Sequence, residues 1–318
     1  VRALKTVDRK QSGSGVDRPR CVLCGAVRCK LFLTIDEYQL FRCRECQLVF
    51  VYPQPPKSKL EQLRADLYGS NGYREMYFSS SDRLRRRFGR CLKEIAKYKT
   101  NGKLLDVGCS YGFFLEMAAG TWEAYGVESC EESADYARQQ LGLNVSAGTL
   151  DSAKLPDRFF DVITMWDVLE HQSSVKGMMQ EVARILKDGG LLFIQCPNID
   201  SLMAKLTRYK GWGWLCVPDH LVHFSPQSLI DLLQRSDLEV MRIRTWEPLS
   251  EFLDNVLPSP NLGGRFRAGS KLSHLSFLSN MVARKALLSL LTPIAWPLQR
   301  LWCSLGQGGL IQVYAVKA

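Results

Sequence analysis

No run of 18 uninterrupted apolar residues occurs among the 318, so no membrane-spanning helix is expected. The first twenty residues are polar and basic and carry no apolar segment, which argues against a signal peptide and for a cytoplasmic location. Histidine is scarce, with four in the chain, so any imidazole chemistry has few residues to draw on. Residues 255–318 carry seven Lys/Arg and no Asp or Glu. Internal repeats and long low-complexity tracts are absent, apart from a Gly/Ser/Asp-containing opening over 1–18 that reads as a disordered tail. With 46% hydrophobic and 23% charged residues, the remainder is a folded chain of one large or two modest domains.

Net charge is +10, but it is unevenly spread. Residues 1–103 carry 23 Lys/Arg against 10 Asp/Glu, and residues 104–254 carry 12 against 22. A basic head and tail around an acidic middle suits a phosphorylated substrate, RNA or a lipid surface, or is simply a solvated face. The eleven cysteines are odd in number and clustered, which excludes a fully paired disulfide scaffold. Cys21-x-x-Cys24 and Cys43-x-x-Cys46 have the spacing of two knuckles that offer four thiolates to one tetrahedral Zn(II). Gly25 supplies the freedom such a turn needs. Four sulfur ligands leave no open position, so the metal is expected to be structural, with Cys29 as a spare thiol. Short strands at Leu31–Thr34 and Tyr38–Arg42 would make residues 19–56 a zinc ribbon.

The proline-rich segment ending at Pro56 marks a boundary, and 57–99 reads as a helical connector with Leu84, Phe88, Leu92 and Ile95 at helical spacing. From residue 100 strand and helix patterns alternate: strands at Lys103–Cys109, Ala124–Glu128, Asn144–Ala147, Phe160–Trp166, Leu191–Gln195, Val240–Thr245 and Leu310–Lys317. The helices fall at Gly112–Ala119, Ser133–Leu141, Val175–Leu186 and Pro226–Arg235. This is the grammar of a doubly wound α/β fold.

The chemistry begins at Asp106-Val-Gly108-Cys-Ser110-Tyr-Gly112, where a strand breaks into a glycine turn and then a helix. Glycines there admit a ligand that a β-carbon would exclude, and the helix start offers free N–H groups. Glu128, ending the second strand, is placed to accept hydrogen bonds from ribose hydroxyls. The G-x-G-x-x-G pattern of dinucleotide sites is not met, since Ser110 and Phe113 stand where glycines belong. Asp106 would repel a pyrophosphate and attract a ligand carrying an ammonium and a sulfonium.

At these residues the chain resembles the class I S-adenosylmethionine-dependent methyltransferases, whose first motif is an acidic residue followed by G-x-G-x-G; here Ser110 replaces the middle glycine. The resemblance runs through Tyr125–Glu128, Phe160–His171 and Leu186–Asn198, covers about residues 100–246, and is strongest to the ubiquinone O-methyltransferase-like branch. It implies a Rossmann-like seven-stranded sheet over 100–318, with substrate-cap insertions at 199–224 and 247–309. It implies S-adenosylmethionine as cofactor, with Asp106, Gly108, Ser110 and Gly112 at the methionine part, Glu128 at the ribose, and Thr149, Leu150 and Asp151 at the adenine. Trp166 and Asp167 would face the sulfonium and the acceptor. Other readings stay open: Trp166 as core packing, Asp151 as a helix N-cap.

Methyl transfer from a sulfonium asks the protein to hold the acceptor, exclude water and, for a hydroxyl, remove a proton. His171, His220 and His223 can converge over the cofactor, with His220 and His223 as base or acceptor-positioning candidates and Asp219 as an orienting carboxylate; the same histidines could instead only tie a loop to the sheet. The aromatic stretch Leu202–Val217 reads as a lid over the acceptor. The apolar, acid-free stretch 281–305 suits either a helical cap or an interfacial element admitting a lipid-linked acceptor at the inner membrane face. A small-molecule hydroxyl is the expected acceptor. RNA methylation and a non-catalytic binding module are the alternatives; for RNA, Cys196 ends the fifth core strand, but no second Pro-Cys partner follows the fourth.

Overall fold

The computed structural model describes residues 18–247 and 296–318. The opening tail to residue 17 and residues 248–295, which include most of the 247–309 insertion and the first part of 281–305, lie outside the described residues. Three short strands open the chain: β1 (Cys29–Ile35), β2 (Tyr38–Cys43) and β3 (Val49–Val51). They pair antiparallel, with Ile35 opposite Tyr38 across a tight turn in which Asp36 has φ +49. The sheet does not stop at three. Its free edge is taken by β9 (Val222–His223), pairing Val49 with His223 and Phe50 with Val222. A ribbon of only three short strands would leave an open edge; here a distant segment closes it.

Three helices follow: α1 (Lys57–Tyr68), α2 (Asn71–Ser79) and α3 (Ser81–Ile95). Ser70 caps α2 by accepting the Tyr73 N–H, one of the donors a helix start leaves unpaired. In α3 Phe88, Cys91 and Ile95 are buried at i, i+3 and i+7, the stripe expected of a helix laid on a core.

The main sheet has seven strands: β4 (Lys103–Val107), β5 (Glu123–Glu128), β6 (Asn144–Ala147), β7 (Phe160–Trp166), β8 (Leu186–Pro197), β10 (Leu238–Trp246) and β11 (Leu310–Lys317). Their spatial order is β10-β11-β8-β7-β4-β5-β6, and β11 runs antiparallel to both neighbours. Leu191, Leu192, Phe193 and Ile194 on β8 are all fully buried, the continuous apolar run of a strand covered on both faces. Covering helices are α4 (Phe113–Ala118), α5 (Glu131–Leu141), α6 (Val175–Ile185) and α8 (Pro226–Gln234), with the short α7 (Leu202–Leu206) in the 199–224 segment. On α6 Val175, Met179, Val182 and Ile185 form the buried face. Among the described residues no helix is long and apolar enough to cross a membrane.

The chain winds from β4 out to β5 and β6 and then returns to place β7 on the other side of β4. Connections leave β4 and β7 in opposite directions, opening a crevice at their carboxyl ends. Glycines shape it, and the packing supplies a reason beyond the one the sequence suggests. Gly108 has φ +72 and a Cβ there would lie 2.6 Å from Val168 Cγ2; Gly112 has φ +82 and a Cβ would lie 2.7 Å from Leu143 Cδ1 and 3.0 Å from Ala137 Cβ. Both are required by left-handed backbone and close packing of the protein on itself, in addition to any ligand.

Replacing Gly142, which has φ +65 but open space around it, with Ala should cost about 1 kcal/mol of backbone strain. Gly112→Ala should cost about 1–3 kcal/mol more through the added clash. Urea unfolding of the two variants measures that difference; equal losses would show that the Leu143 contact relaxes freely.

Candidate functional site

The crevice is built first from the β4–α4 turn. Gly108 and Cys109 donate backbone N–H bonds to the Val127 carbonyl at 2.7 and 3.2 Å, locking the turn against β5. Ser110 takes φ +50, and its N–H donates to Glu128 Oε2 at 2.8 Å, while the Cys130 N–H donates to Oε1 at 2.7 Å. Glu128 is thereby fixed by the backbone of both flanking loops, with carboxylate lone pairs left for other donors. Gly148 N–H donates to the Glu128 carbonyl and brings the next loop alongside. In that loop Leu150 is buried and Thr149 and Asp151 are exposed. Thr149 Oγ1 accepts the Ser152 N–H at 3.3 Å, so Thr149 caps the turn and Asp151 is not a helix N-cap.

Asp106 is 2% exposed and takes one hydrogen bond, from Thr164 Oγ1 at 2.6 Å. Burial pushes its carboxyl up to about 8; the Thr164 bond opposes this and the Glu128 charge adds to it. A carboxyl in that state is a site short of a cation.

Connector helix α2 contributes a wall the sequence reading did not assign. Tyr73 and Tyr77 stand 6.4 and 5.3 Å from the Tyr111 ring, with Phe78 and Phe113 beside them. Burial pushes the Tyr73 hydroxyl up to about 12 and raises the Tyr77 hydroxyl too. The signal was present as tyrosines at i and i+4, but a mixed polar-aromatic helix ahead of the α/β pattern reads equally as packing.

At the end of β7 the Trp166 ring packs among Phe88, Phe114 and Phe193 with centroids 4.7–5.3 Å apart, and the Arg87 guanidinium lies 5.4 Å over it. The ring therefore belongs to the aromatic core cluster. Asp167 (φ +54) accepts from Gln195 Nε2 at 2.9 and 3.0 Å and from Arg87 at 3.4 Å. Gln195 Oε1 in turn accepts from Gln312 and Arg87.

The three histidines meet beyond this point. The rings of His171 and His220 are 4.7 Å apart and those of His220 and His223 6.0 Å. Asp219, expected beside His220 and His223, pairs instead with His171, whose Nδ1 lies 3.2 Å from Asp219 Oδ1. Two residues of α1 complete the arrangement. Arg64 Nε donates to Asp219 Oδ1 at 2.9 Å, and the Tyr68 hydroxyl donates to Oδ2 at 2.7 Å. Burial works against ionising Asp219, but the bonds from His171, Tyr68 and Arg64 hold its carboxyl well below the usual carboxylate range. Burial also opposes a charged His171, yet the Asp219 bond and charge raise that ring above its ordinary value. His220, whose Nδ1 lies 2.9 Å from the Trp214 carbonyl, is lowered well below its ordinary value, first by burial and then by the other two rings. His223 is pushed down to about 3 by burial and the His171 charge. Glu170, 1% exposed, is pushed up to about 8 by burial. The result is one basic imidazole with an orienting carboxylate, flanked by two neutral ones.

The cysteines form a separate centre. Cys21 and Cys46 Sγ are 3.5 Å apart, Cys24 and Cys43 Sγ 3.6 Å, and all four donor atoms lie within 4.8 Å of one another. A tetrahedron of 2.3 Å Zn–S bonds has edges of about 3.8 Å, so the four sulfurs fit one metal and are too far apart for disulfides. The first knuckle turns at Gly25 (φ +75) and the second at Gln47 (φ +63). The Cys46 bond draws the Cys21 thiol down to about 5 against the effect of burial. Cys29 donates to the Ala26 carbonyl and burial pushes it up to about 12, so it stands outside the set.

The family model described as a methyltransferase domain matches residues 80–243. The chain is 24% identical over 164 residues to the ubiquinone biosynthesis O-methyltransferase of Burkholderia vietnamiensis, spanning 47% of this chain and 70% of that protein. It is 28% identical over 165 residues to the protein of the same name from Idiomarina loihiensis, spanning 48% and 68%. Among solved structures, it is similar to a chain of the complex between the Haloferax volcanii Trm112 methyltransferase activator and a methyltransferase. That likeness has a TM-score of 0.50 and 13% identity over 78% of this chain and 96% of that one, a likeness of fold.

The arrangement around Asp219 is measurable directly. The His171 imidazole should titrate above its ordinary 6.5, and Asp219→Asn should bring it below that value, because the carboxylate charge is gone while burial remains. Proton NMR of the four histidines, assigned with a His171→Gln variant, reads this; an unchanged His171 titration in the Asp219 variant would contradict the pairing.

Proposed function

The chain belongs to the methyltransferase-domain family and is an S-adenosylmethionine-dependent methyltransferase, and from that premise we propose that it methylates a hydroxyl of a small-molecule acceptor beside His171. The observation that carries this reading is the His171–Asp219 pair. Of the three clustered histidines His171 alone has a raised pKa and a carboxylate partner, and its side chain retains 17% exposure. With Nδ1 held toward Asp219, Nε2 is the nitrogen left to take a proton. The Burkholderia and Idiomarina relatives are named as O-methyltransferases, which supports oxygen as the atom methylated. A sugar, a quinone- or polyketide-like compound or another metabolite hydroxyl fits this chemistry.

Once bound, the cofactor supplies an electrophilic methyl group on a sulfonium. In this reading Asp106 meets the cofactor's ammonium, since a buried carboxyl with a raised pKa gains most from a cation. The Gly108–Gly112 turn, with Ser110, follows the methionine part. Glu128 accepts from the ribose, and Thr149, Leu150 and Asp151 border the adenine. Tyr73 and Tyr77 exclude water from that side. Asp167, paired with Arg87, shapes the acceptor end, where Trp166 gives the floor its rigidity. His171 would take the hydroxyl proton at Nε2, and His220 and His223, neutral and acceptor-capable, would position the acceptor. The four ribbon cysteines would hold a structural Zn(II).

Cys196 is fully buried and burial raises its thiol well above its ordinary value, a poor state for the nucleophile an RNA cytosine methylase needs. The reading extends to a lipid-linked acceptor and to a cytoplasmic protein peripheral at the inner membrane face: Trp296, Leu298, Leu301 and Leu305 are exposed at 296–305 with Arg300 set against Trp296.

Two measurements follow. With Asp106 mostly protonated at pH 7, pairing with an ammonium should lower its pKa, so S-adenosylmethionine binding should release close to one proton. Calorimetry in two buffers of different ionisation enthalpy counts it; Asp106→Asn should abolish the release and weaken binding roughly 10- to 100-fold, and release that persists in the variant would remove Asp106 from this role. Incubation of metabolite extracts with methyl-labelled cofactor should yield a labelled O-methyl product whose rate rises with pH as His171 deprotonates. His171→Gln should lower that rate roughly 100-fold or more with cofactor binding retained. Label found only on nitrogen, carbon or RNA would overturn the acceptor assignment.

A further inference from the structure

The ribbon is joined to the acceptor side through its own backbone. Cys43 ends β2 and donates its N–H to the Leu48 carbonyl, fixing the start of β3. The Val51 N–H then donates to the Leu221 carbonyl at 2.9 Å, and Val49 stands opposite His223. Leu221 N–H donates to the Glu170 carbonyl at 2.8 Å, one residue before His171. The 199–224 segment, read from sequence as a lid, packs its aromatics on the ribbon: Leu40, Val49 and Val51 share a buried cluster with Ile199, Met203, Ala204 and Trp212. Arg42 ties the two together, donating to Asp200 at 2.9 Å while its guanidinium lies 4.5 Å over Phe32, which meets Tyr209 at 4.7 Å. The cluster around Cys109–Phe114 and the β4–α4 turn contains no ribbon residue, whereas Cys21, Cys43, Cys46, Leu48 and Phe50 belong to the larger cluster on the other side, which reaches Leu105, Val107 and Leu150.

We propose that the four-cysteine ribbon is a positioning element of the acceptor site: the metal fixes β2 and β3, β3 holds Leu221–His223, and that strand sets His220, His223 and the Glu170–His171 turn. The β4–α4 turn and α2 pack in a cluster without ribbon residues, so cofactor binding is expected to outlast loss of the metal. This rests on the reading above for which side receives the acceptor and for zinc as the metal. The small sheet cannot hold its own register, because β3 has three residues and β9 two, lengths at which pairing persists only when something else anchors the strands. Buried packing of Val49, Phe50 and Val51 is one anchor and the thiolate cluster at the β2–β3 turn is the other, so removing the metal is expected to loosen β9 before it disturbs the main sheet.

Hydrogen exchange on the full chain, with zinc bound and after chelation, tests this together with calorimetry of S-adenosylmethionine binding. Loss of zinc should speed exchange about tenfold or more, equivalent to ~1.4 kcal/mol of local stability, in peptides covering 21–51, 169–171 and 199–224. Peptides covering 103–128 should be unchanged and cofactor affinity should stay within about twofold. Arg42→Ala, which leaves all four thiols in place, should keep one zinc per chain and speed exchange across 199–212. Protection retained over 199–224 while 21–51 opens would make the ribbon an autonomous module and overturn the proposal. So would collapse of 103–128 with loss of cofactor binding, which would make zinc a staple of the whole fold, and so would purified protein holding less than one zinc per chain. Failure of the zinc-bound chain to bind S-adenosylmethionine contradicts the methyltransferase reading instead, and the exchange pattern is then judged separately.

Discussion

A carboxyl group buried in the middle of a sheet is costly unless something neutralises it, and Asp106 is such a group. It sits on β4, the strand on either side of which the chain reverses its winding, with one hydroxyl as its partner. The surroundings keep water away from it: the glycine turn closes against β5, Glu128 is fixed by backbone donors, and α2 lays tyrosines over the turn. Burial therefore raises the pKa of the carboxyl held at the switch point, and in the proposed reading a cation arriving beside it would favour its ionised form. A phosphate-bearing ligand would find this position unfavourable on either side of that titration, which separates this loop physically from the phosphate-binding turns it resembles in outline.

The basic head and acidic middle, which from composition alone suggest an anionic partner, are partly spent on each other. Arg42 pairs with Asp200, Arg64 with Asp219, Arg74 with Glu132, Arg85 with Glu116 and Arg87 with Asp167. The exposed pairs contribute little. Arg64–Asp219 and Arg87–Asp167 are different, because each neutralises a carboxylate at the end of the crevice and fixes its direction. The connector helices thus supply counter-charges to a site whose acids belong to the α/β unit, and a charge asymmetry visible at long range in the sequence is resolved at short range in the fold.

What was legible in the sequence follows the same division. Asn144–Ala147, Phe160–Trp166 and Leu310–Lys317 were readable to the residue because buried strands bounded by turn residues have a strong local signal, and the Asp106–Gly112 turn was readable because its chemistry lies within seven consecutive positions. Contacts between distant segments were not. Arg64 and Tyr68 look like the polar face of an ordinary helix until the fold brings them to Asp219. Asp219 reads from sequence as an orienting carboxylate for His220 and His223, whereas in the fold its carboxylate pairs with His171. The two-residue strand β9 has no periodicity to detect, and the glycines were recognised while their main steric reason, Val168 and Leu143, was hidden in the tertiary packing.

Three histidines at one site need not share one role, and their environments separate them. Burial without a counter-charge leaves His220 and His223 neutral well into the acid range, so they can accept hydrogen bonds but compete poorly for a proton. The same burial is offset at His171 by an anion that Arg64 and Tyr68 keep ionised, so this ring alone can change protonation state near neutral pH. That difference depends on Asp219 being held rigidly between α1 and the β9 segment, since a carboxylate free to turn toward solvent would lose its hold on the imidazole. The β9 segment is fixed in turn by its pairing with the ribbon. Proton affinity at the crevice therefore depends on a sheet edge some distance away, and the four thiolates and the imidazole belong to one mechanical unit although no side chain of either group touches the other.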